Sequence, residues 1–223
     1  MKRCILSAIL VALLFGCDPS SLLEREDDPA NDGPVLTTIS AIRSGEVDVD
    51  EVVTVEEAVI TAIIGNGVRY FFVQDGMGSE NAGLMVFKNS ADSLSLAVGD
   101  RVTITGIYKE YNGQSEIVVG SANCITQTGT ASLPEIRDIT DCSLEEYESY
   151  EGMLVEMRDV DVTSVDDGNK VFELAGGVLV DDMMYSPNPF PAVGTHVERI
   201  AGVLHYAYGE YRIEPRNAAD IVI

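Results

Sequence analysis

The sequence predicts an all-β protein with two tandem five-stranded Greek-key barrels, which follow a signal peptide and an acidic tether. The strongest observation is an internal repeat, because Val53–Ile63 aligns without a gap with Val155–Val165. Later landmarks also keep their spacing in the two halves: Gly106, Gly113 and Ile125 in the first, and Gly202, Gly209 and Ile221 in the second. Chance rarely preserves so many spacings, so we expect a duplicated domain.

Five strands are expected in the first copy, and turn residues separate them. Asn66-Gly67 and Asn112-Gly113 are strong signals for tight turns, because both residue types accept a positive φ. A less regular piece, Asn89–Ala97, separates the third strand from the fourth. The expected strands are Val52–Ile64, Val68–Gln74, Gly83–Lys88, Arg101–Glu110 and Gln114–Val119.

The second copy repeats this order, with Asp166–Asn169 at its first turn and Tyr208-Gly209 at its last. A short helical piece precedes each barrel, Ile39–Arg43 in one copy and Ser143–Tyr150 in the other, where Ser143 and Glu146 have the spacing of a capping box. A long first strand, a three-stranded meander, an irregular connection and a closing hairpin are typical of the OB-fold. We therefore expect OB-fold domains over 37–128 and 129–223.

Several motifs in the first copy belong together: Phe72-Val73-Gln74-Asp75-Gly76, Gly83-Leu84-Met85-Val86-Phe87, Val98-Gly99-Asp100-Arg101-Val102, Gly106 and Tyr111-Asn112-Gly113. They resemble an OB-type module of bacterial secreted proteins. That module occurs beside nuclease domains of the endonuclease/exonuclease/phosphatase superfamily and in envelope lipoproteins without an attached enzyme. The resemblance implies an OB barrel with a binding or accessory role. It implies no catalytic residue, because the nuclease domain has no counterpart in this chain.

The N-terminus, 1–16, has the order of a secretory signal peptide. Lys2 and Arg3 precede the apolar run Ile5–Phe15, which is too short to span a bilayer. Leu14-Phe15-Gly16-Cys17 resembles a bacterial lipobox, in which the cysteine is acylated with fatty acids such as palmitate. The alternative is an ordinary cleavable signal with a chance cysteine. We expect Cys17 to anchor the protein on the extracytoplasmic side of a bacterial cell envelope, with the choice of membrane left open.

The chain is strongly acidic, with 14 basic and 37 acidic residues and a net charge of −23. Loss of Lys2 and Arg3 with the signal peptide leaves 12 basic residues, and 12 − 37 gives −25. Such a surface repels nucleic-acid phosphates and anionic lipid. Membrane attachment must then come from the lipid on Cys17. Residues 17–36 are rich in acid, proline and small polar side chains, so we expect a disordered tether.

Two cysteines, Cys124 and Cys142, remain in the expected domains after Cys4 and Cys17 are assigned to the leader and the lipid. In an oxidising compartment an even remainder favours a disulfide, so we expect these two residues to be bonded. Two free thiols or a two-ligand metal site are the alternatives.

OB barrels bind ligands around their second and third strands, flanked by the first and last hairpin loops. Aromatic rings there can stack on bases or sugars, and arginine can pair with phosphate. Core packing and ordinary cross-strand pairs are the competing explanation for the same residues. The candidates are Arg69, Phe71, Tyr108, Lys109 and Tyr111 in the first copy, and Tyr206, Tyr208, Tyr211 and Arg212 in the second.

Motifs for catalysis or metal binding are weak. Asp166-Asp167 and Asp181-Asp182 can offer oxygen ligands to calcium, but neither has the spacing of a dedicated loop. No metal, no cofactor and no catalytic residue is expected. We expect a lipid-anchored envelope binding or accessory protein, with an unknown protein, glycan or oligonucleotide as ligand. Two alternatives stay open: a single-stranded nucleic-acid binder that assists a secreted nuclease, and a metal-dependent hydrolase.

Overall fold

The structure is a computed structural model that describes residues 33–65, 68–75 and 79–223. The expected signal peptide, Cys17, the tether up to residue 32 and the Asn66-Gly67 turn lie outside these residues. Within the described part, no helix is long and apolar enough to cross a membrane.

The described residues of the first half form seven strands, one short helix and a 3₁₀ turn at Ala122–Cys124. These elements are β1 (Val35–Thr37), α1 (Ile39–Arg43), β2 (Val52–Ile64), β3 (Tyr70–Gln74), β4 (Gly83–Lys88), β5 (Asp100–Tyr111), β6 (Gln114–Val119) and β7 (Ile125–Thr130). Strands β2, β3, β4, β6 and β5 follow one another around a barrel, which β5 closes by pairing with β2. The pairing of β4 with β6 is parallel, and the other pairings around the barrel are antiparallel.

The second half repeats this architecture, with 3₁₀ turns at Glu146–Tyr150 and Ala218–Asp220. Its strands are β8 (Arg137–Asp138), β9 (Leu154–Asp166), β10 (Val171–Leu174), β11 (Leu179–Val180), β12 (His196–Ala207), β13 (Glu210–Glu214) and β14 (Ile221–Val222). The barrel order is β9, β10, β11, β13 and β12, with β12 closing on β9. The predicted fold class, two tandem OB-fold barrels, is therefore confirmed.

The backbone conformation shows the duplication as clearly as the sequence does. Residues other than glycine with a positive φ recur at matched positions: Glu57 with Asp159, Val68 with Lys170, and Asn112 with Tyr208. The first pair lies inside the long first strand of each barrel, where β2 has an irregular register against β5. Each copy therefore keeps a residue with positive φ at the same point of its first strand, although β9 pairs with β12 without a register shift.

Two features differ from the sequence prediction. No strand was expected after Gln114–Val119 in the first copy, but β7 forms because its backbone pairs with β5, from Ile104–Ile125 to Asp100–Thr130. The expected helical piece before the second barrel is a 3₁₀ turn. The N-cap of this turn is Glu145, without a side-chain cap, so the expected capping box forms only in part: the Ser143 amide and hydroxyl both donate to Glu146 Oε2, at 2.7 and 2.9 Å.

The predicted Cys124–Cys142 disulfide is wrong, because Cys142 carries a free thiol. The two cysteines belong to different cores: Cys124 is buried in the first barrel, and Cys142 packs against the core of the second. Counting cysteines in the sequence does not reveal which core each one joins.

The cores consist of alternate side chains from the long strands, such as Phe71 and Ile104 in the first barrel and Phe172 and Ile200 in the second. One glycine in each barrel allows the two strands of the closing hairpin to approach each other. A Cβ on Gly106 would lie 2.6 Å from the Val118 carbonyl oxygen, and a Cβ on Gly202 would collide with the Glu214 carbonyl. Glycine at these positions is therefore a steric requirement of the barrel.

Replacing Gly106 or Gly202 with alanine should lower the free energy of unfolding by about 1–3 kcal/mol, because the methyl group has to displace backbone atoms. Urea denaturation of the mature protein measures this change. Gly129→Ala in β7 is the matched control, since the nearest atom to its added Cβ is 3.9 Å away. Midpoints equal to that of the control would contradict the steric explanation.

Candidate functional site

The ligand-binding face of an OB barrel lies on the outside of its second and third strands. In this protein those strands are β3 and β4 in the first barrel, and β10 and β11 in the second. Strand alternation sends every other side chain to this outer face. The two copies use the face in different ways.

In the first barrel, the second barrel covers this face. We call the contact between the barrels the seam. Phe72 and Met85 pack there against Leu154 and Val203 in a shared apolar cluster. The side-chain oxygen of Gln74 accepts a hydrogen bond from the Leu154 amide at 3.0 Å. The face is therefore occupied by protein.

The backbones of the two barrels are in direct contact at one point of the seam. Gly83 at the start of β4 and Gly152 just before β9 lie so close that a methyl group on either would collide with the backbone of the other copy. Gly152 also has a φ of 75°, which favours glycine. No side chain fits at this contact, so the two glycines allow the barrels their close approach.

A buried polar chain continues the seam. His205 lies between Gln114 of the first barrel and Glu214 of the second. Its Nε2 is 3.2 Å from Gln114 Oε1, and its Nδ1 is 3.0 Å from Glu214 Oε1. The edge of the Phe72 ring contacts the imidazole, with centroids 5.7 Å apart. Burial raises the pKa of Glu214, although the hydrogen bond from His205 opposes this effect.

Arg43, at the end of α1, forms a second polar contact across the seam. Its guanidinium donates to Ser115 Oγ at 2.5 Å, to Glu151 Oε1 at 3.1 Å and to Glu148 Oε1 at 2.7 Å. Glu151 also accepts from the Ser115 amide at 3.0 Å. Burial raises the pKa of Glu151 to about 7, even though Arg43 lies beside it. The Arg43 and Glu151 side chains are only 2% and 1% exposed, so this cluster serves the seam and is closed to a substrate.

Most of the first-copy candidates are structural. Phe71 is a fully buried core residue. Tyr108 is buried too, and its hydroxyl donates to Glu110 Oε1 at 2.5 Å. Lys109 forms an ion pair with Asp50. Tyr111 is exposed in the β5–β6 hairpin, next to the turn whose Gly113 approaches Tyr206 of the second barrel.

Arg69 belongs to a small surface that sequence reasoning missed. The rings of Tyr70 and Phe87 stack across β3 and β4, with centroids 4.8 Å apart, and the Arg69 guanidinium carbon lies 5.3 Å from the Phe87 centroid. Strand alternation was the available signal, since it places Tyr70 and Phe71 on opposite faces of β3, and the burial of Phe71 shows that Tyr70 points outward. This surface is the part of the first ligand face that stays exposed beside the seam.

In the second barrel the equivalent face is an open groove with a volume of about 520 Å³. We call it the β10 groove. Strands β9, β10, β11 and β13 contribute its walls, and the tip of the β12–β13 hairpin contributes Tyr208. Its lining residues are mostly polar: Ser164, Asp166, Asn169, Val171, Phe172, Glu173, Leu179, Asp181, Tyr208, Glu210 and Arg212.

Strand register shows how the two faces correspond. Ala62 pairs with Phe72 in the first barrel, and the matched pair in the second is Ser164 with Glu173. The apolar pair is buried in the seam, whereas the polar pair lines the β10 groove. The groove is thus the second copy of the face that the seam closes in the first.

Arg212 lies at the floor of the groove and is only 9% exposed. Its Nη1 donates to Asp181 Oδ2 at 2.5 Å and its Nη2 to Glu210 Oε2 at 3.2 Å. Its Nε is buried and has no hydrogen-bond partner among the described residues. The guanidinium carbon lies 5.2 Å from the Tyr208 ring centroid, and Tyr208 is 89% exposed.

The other two second-copy candidates, Tyr206 and Tyr211, lie on the seam side of the hairpin. Their rings are in contact, with centroids 4.9 Å apart, and Tyr206 approaches Gly113 of the first barrel. The Tyr211 hydroxyl donates to Glu148 Oε2 at 2.7 Å, and burial is the main cause that raises its pKa. Of the four second-copy candidates, the structure therefore brings Tyr208 and Arg212 together in the groove.

The acidic pairs considered for calcium have other partners. Asp166 accepts hydrogen bonds from the Gly168 and Asn169 amides, and the Asn169 side chain is the main cause that lowers its pKa. Asp181 holds Arg212. Within residues 33–65, 68–75 and 79–223, no group of three or more histidine, cysteine, aspartate or glutamate residues is arranged to hold a metal ion.

A second cavity, of about 480 Å³, lies near the seam and is lined by Ser40, Ser79, Glu80, Arg137 and Tyr150. Arg137 lies over the Tyr150 ring at 5.5 Å, and the Tyr150 hydroxyl donates to Glu80 at 3.2 Å. These groups already hydrogen-bond or stack with one another, so this cavity has fewer free polar groups for a ligand than the β10 groove.

No protein-family model matches the chain, and no curated protein matches it. Solved structures that resemble it include fission yeast Pot1 with ssDNA, at 9% identity and a TM-score of 0.33, covering 82% of this chain and 84% of that one. The HINb domain of p204 matches at 14% identity and a TM-score of 0.29, covering 71% and 91%. A Leishmania major Friedlin chain described as an aspartyl-tRNA synthetase matches at 14% identity and a TM-score of 0.33.

The synthetase match covers 51% of this chain and 24% of that one, so this protein spans about a quarter of the synthetase's length. All three identities are low. The TM-scores are low as well, so these likenesses carry no argument about this protein.

The raised pKa of Glu151 predicts how the seam responds to pH. A carboxyl group whose pKa is higher in the folded than in the unfolded protein stabilises the fold at low pH. This stabilisation is lost as the pH rises through the folded-state pKa, here about 7. Glu151→Gln removes this titration. From pH 5 to pH 8 the free energy of unfolding should therefore fall in the wild type relative to the variant, by on the order of 2–3 kcal/mol.

Denaturant titrations at several pH values measure this difference. Glu135→Gln is the control, because Glu135 is exposed, and it should keep the wild-type pH profile. Parallel profiles for the wild type and Glu151→Gln would show that Glu151 does not titrate in this range.

Proposed function

We propose that this chain is a lipid-anchored binding protein of the bacterial cell envelope, without catalysis of its own, and that the β10 groove is its ligand site. One observation carries the proposal. The seam closes the ligand face of the first barrel, whereas the matching face of the second is open and lined with polar side chains. A duplicated face that stays open and polar is suited to a ligand.

The chemistry of the groove favours binding over catalysis. Among the residues that line it, no histidine or cysteine accompanies Ser164, so no general base is placed to activate its hydroxyl. Asp181 and Glu210 are held by Arg212, and Asp166 is held by its own turn. These carboxylates maintain the shape of the groove.

The N-terminal sequence supports the anchor. Leu14-Phe15-Gly16-Cys17 has the form of a lipobox, and the acidic stretch up to residue 36 can separate the barrels from the membrane. Stable attachment of an acidic protein needs more than one acyl chain, since no basic patch assists it. A lipid on Cys17 meets this requirement.

Single-stranded nucleic acid is the second candidate ligand, and the stack of Arg69, Tyr70 and Phe87 favours it. Exposed rings beside an arginine can stack on bases. The charge of −25 after loss of the leader opposes it, because a phosphate chain would approach a strongly acidic surface. We therefore place this function second.

Cells that express the protein and grow with an alkyne analogue of palmitate should label the wild type and fail to label Cys17→Ser, because acylation requires that thiol. In-gel fluorescence after click chemistry measures the label. Cys142→Ser is the matched control and should label like the wild type, since Cys142 lies in the second barrel. Equal labelling of wild type and Cys17→Ser would remove the lipid anchor from the proposal.

A further inference from the structure

We infer that the β10 groove binds an uncharged oligosaccharide. This inference rests on the proposed function, and it names the class of ligand for the same site. Three properties of the groove support it: the pairing of its charges, its free hydrogen-bonding groups and its exposed aromatic ring.

The charges of the groove are largely neutralised within the protein. Four carboxylates and one guanidinium line it, but Arg212 binds Asp181 and Glu210, and the turn at residues 166–169 binds Asp166. Glu173 is the carboxylate without a hydrogen bond or ion pair among the described residues. A multiply charged cation would find one free carboxylate, and an anion would meet an acidic rim.

The remaining hydrogen-bonding groups match hydroxyls. Glu173 and Ser164 face each other across β10 and β9, and the Glu173 carboxylate can accept from a hydroxyl. Ser164 is exposed, and its hydroxyl can both donate and accept. A sugar hydroxyl also does both, so neighbouring hydroxyls of one sugar can bond to Glu173 and to Ser164.

Tyr208 supplies a flat apolar surface at the edge of the groove. Its ring is 89% exposed, although a side chain of this size is usually better covered. A tight turn fixes its position, because Tyr208 and Gly209 have φ values of 56° and 85°. Arg212 lies beneath it. A sugar ring offers apolar C–H faces as well as hydroxyls, so it can pack on Tyr208 while it bonds to the groove.

The volume of the groove suits this class of ligand. About 520 Å³ lies within the range of small-molecule sites, and the groove is open to solvent along one side. An oligosaccharide longer than the groove can therefore extend beyond it. The glycine-tipped hairpin and the ion pairs of Arg212 hold the walls in place before the ligand arrives, which limits the entropy lost on binding.

Isothermal titration calorimetry of the mature protein carrying Cys17→Ser tests the inference. The probes are the neutral hexasaccharides of maltose, cellulose, mannan and chitin type. Comparators are a heparin hexasaccharide, hexalysine and an oligothymidylate. We expect at least one neutral hexasaccharide to bind with little dependence on salt, and the three charged comparators to bind more weakly.

Variants locate the binding. Tyr208→Ala should weaken it by about tenfold or more, as for an aromatic residue at the centre of a contact. Glu173→Gln should weaken it by several-fold. Tyr111→Ala is the matched control, because Tyr111 is 63% exposed at the corresponding hairpin of the first barrel and lies outside the groove. It should bind like the parent.

Each contrary result has a defined meaning. No binding by any neutral hexasaccharide, or binding that Tyr208→Ala leaves unchanged, would overturn the inference. Hexalysine or oligothymidylate binding that Tyr208→Ala or Glu173→Gln alters would overturn the ligand class but retain the groove as a binding site. The palmitate experiment tests the anchored location separately, so the two failures are distinguishable.

Discussion

The packing of the second barrel on the ligand face of the first is the contact on which the rest of the structure depends. It combines an apolar centre around Phe72 and Met85 with polar groups that bond across the boundary. Burying charged groups such as Arg43 and Glu151 is costly unless they are well paired. Here the guanidinium and the carboxylate bind each other and share Ser115, while Arg43 Nε and Glu151 Oε2 have no hydrogen-bond partner among the described residues. The two barrels therefore meet through a specific surface.

Because the domain is duplicated, the contact between the barrels covers one copy of the face and leaves the other copy exposed. Two copies of one fold carry two copies of its binding face, and a tandem contact that uses one of them leaves the other free. The matched residues differ accordingly. Ala62 and Phe72 suit a dry interface, whereas Ser164 and Glu173 suit a solvated groove. In the function that we propose, the first barrel serves as a support and the second presents the ligand site.

The sequence was sufficient for the fold because its signals are local and repeated. Glycines at 106 and 202 and turns at 112–113 and 208–209 mark the same points in both barrels. Tyr208 could be found because it lies in a hairpin tip, where residues are exposed. Tyr70 was missed in favour of Phe71, since the inward phase of β3 is not evident from five mostly apolar residues. The seam could not be predicted from the sequence. The alternation of apolar residues shows which side chains share a face of a strand, but it does not show which faces of the two barrels pack together. The disulfide prediction failed for the same reason, because the sequence does not show that Cys124 and Cys142 pack in different cores.

Hydroxyl-radical footprinting of the mature protein, read by mass spectrometry, tests the central claim most directly. If the seam closes one face and leaves its counterpart open, Phe72 and Met85 will be protected while Tyr208 is modified rapidly, at a rate similar to that of exposed Tyr111. Unfolding in denaturant should remove the protection. Modification of Phe72 and Met85 in the folded protein as fast as that of Tyr208 would mean that the barrels do not cover each other, and would contradict the account.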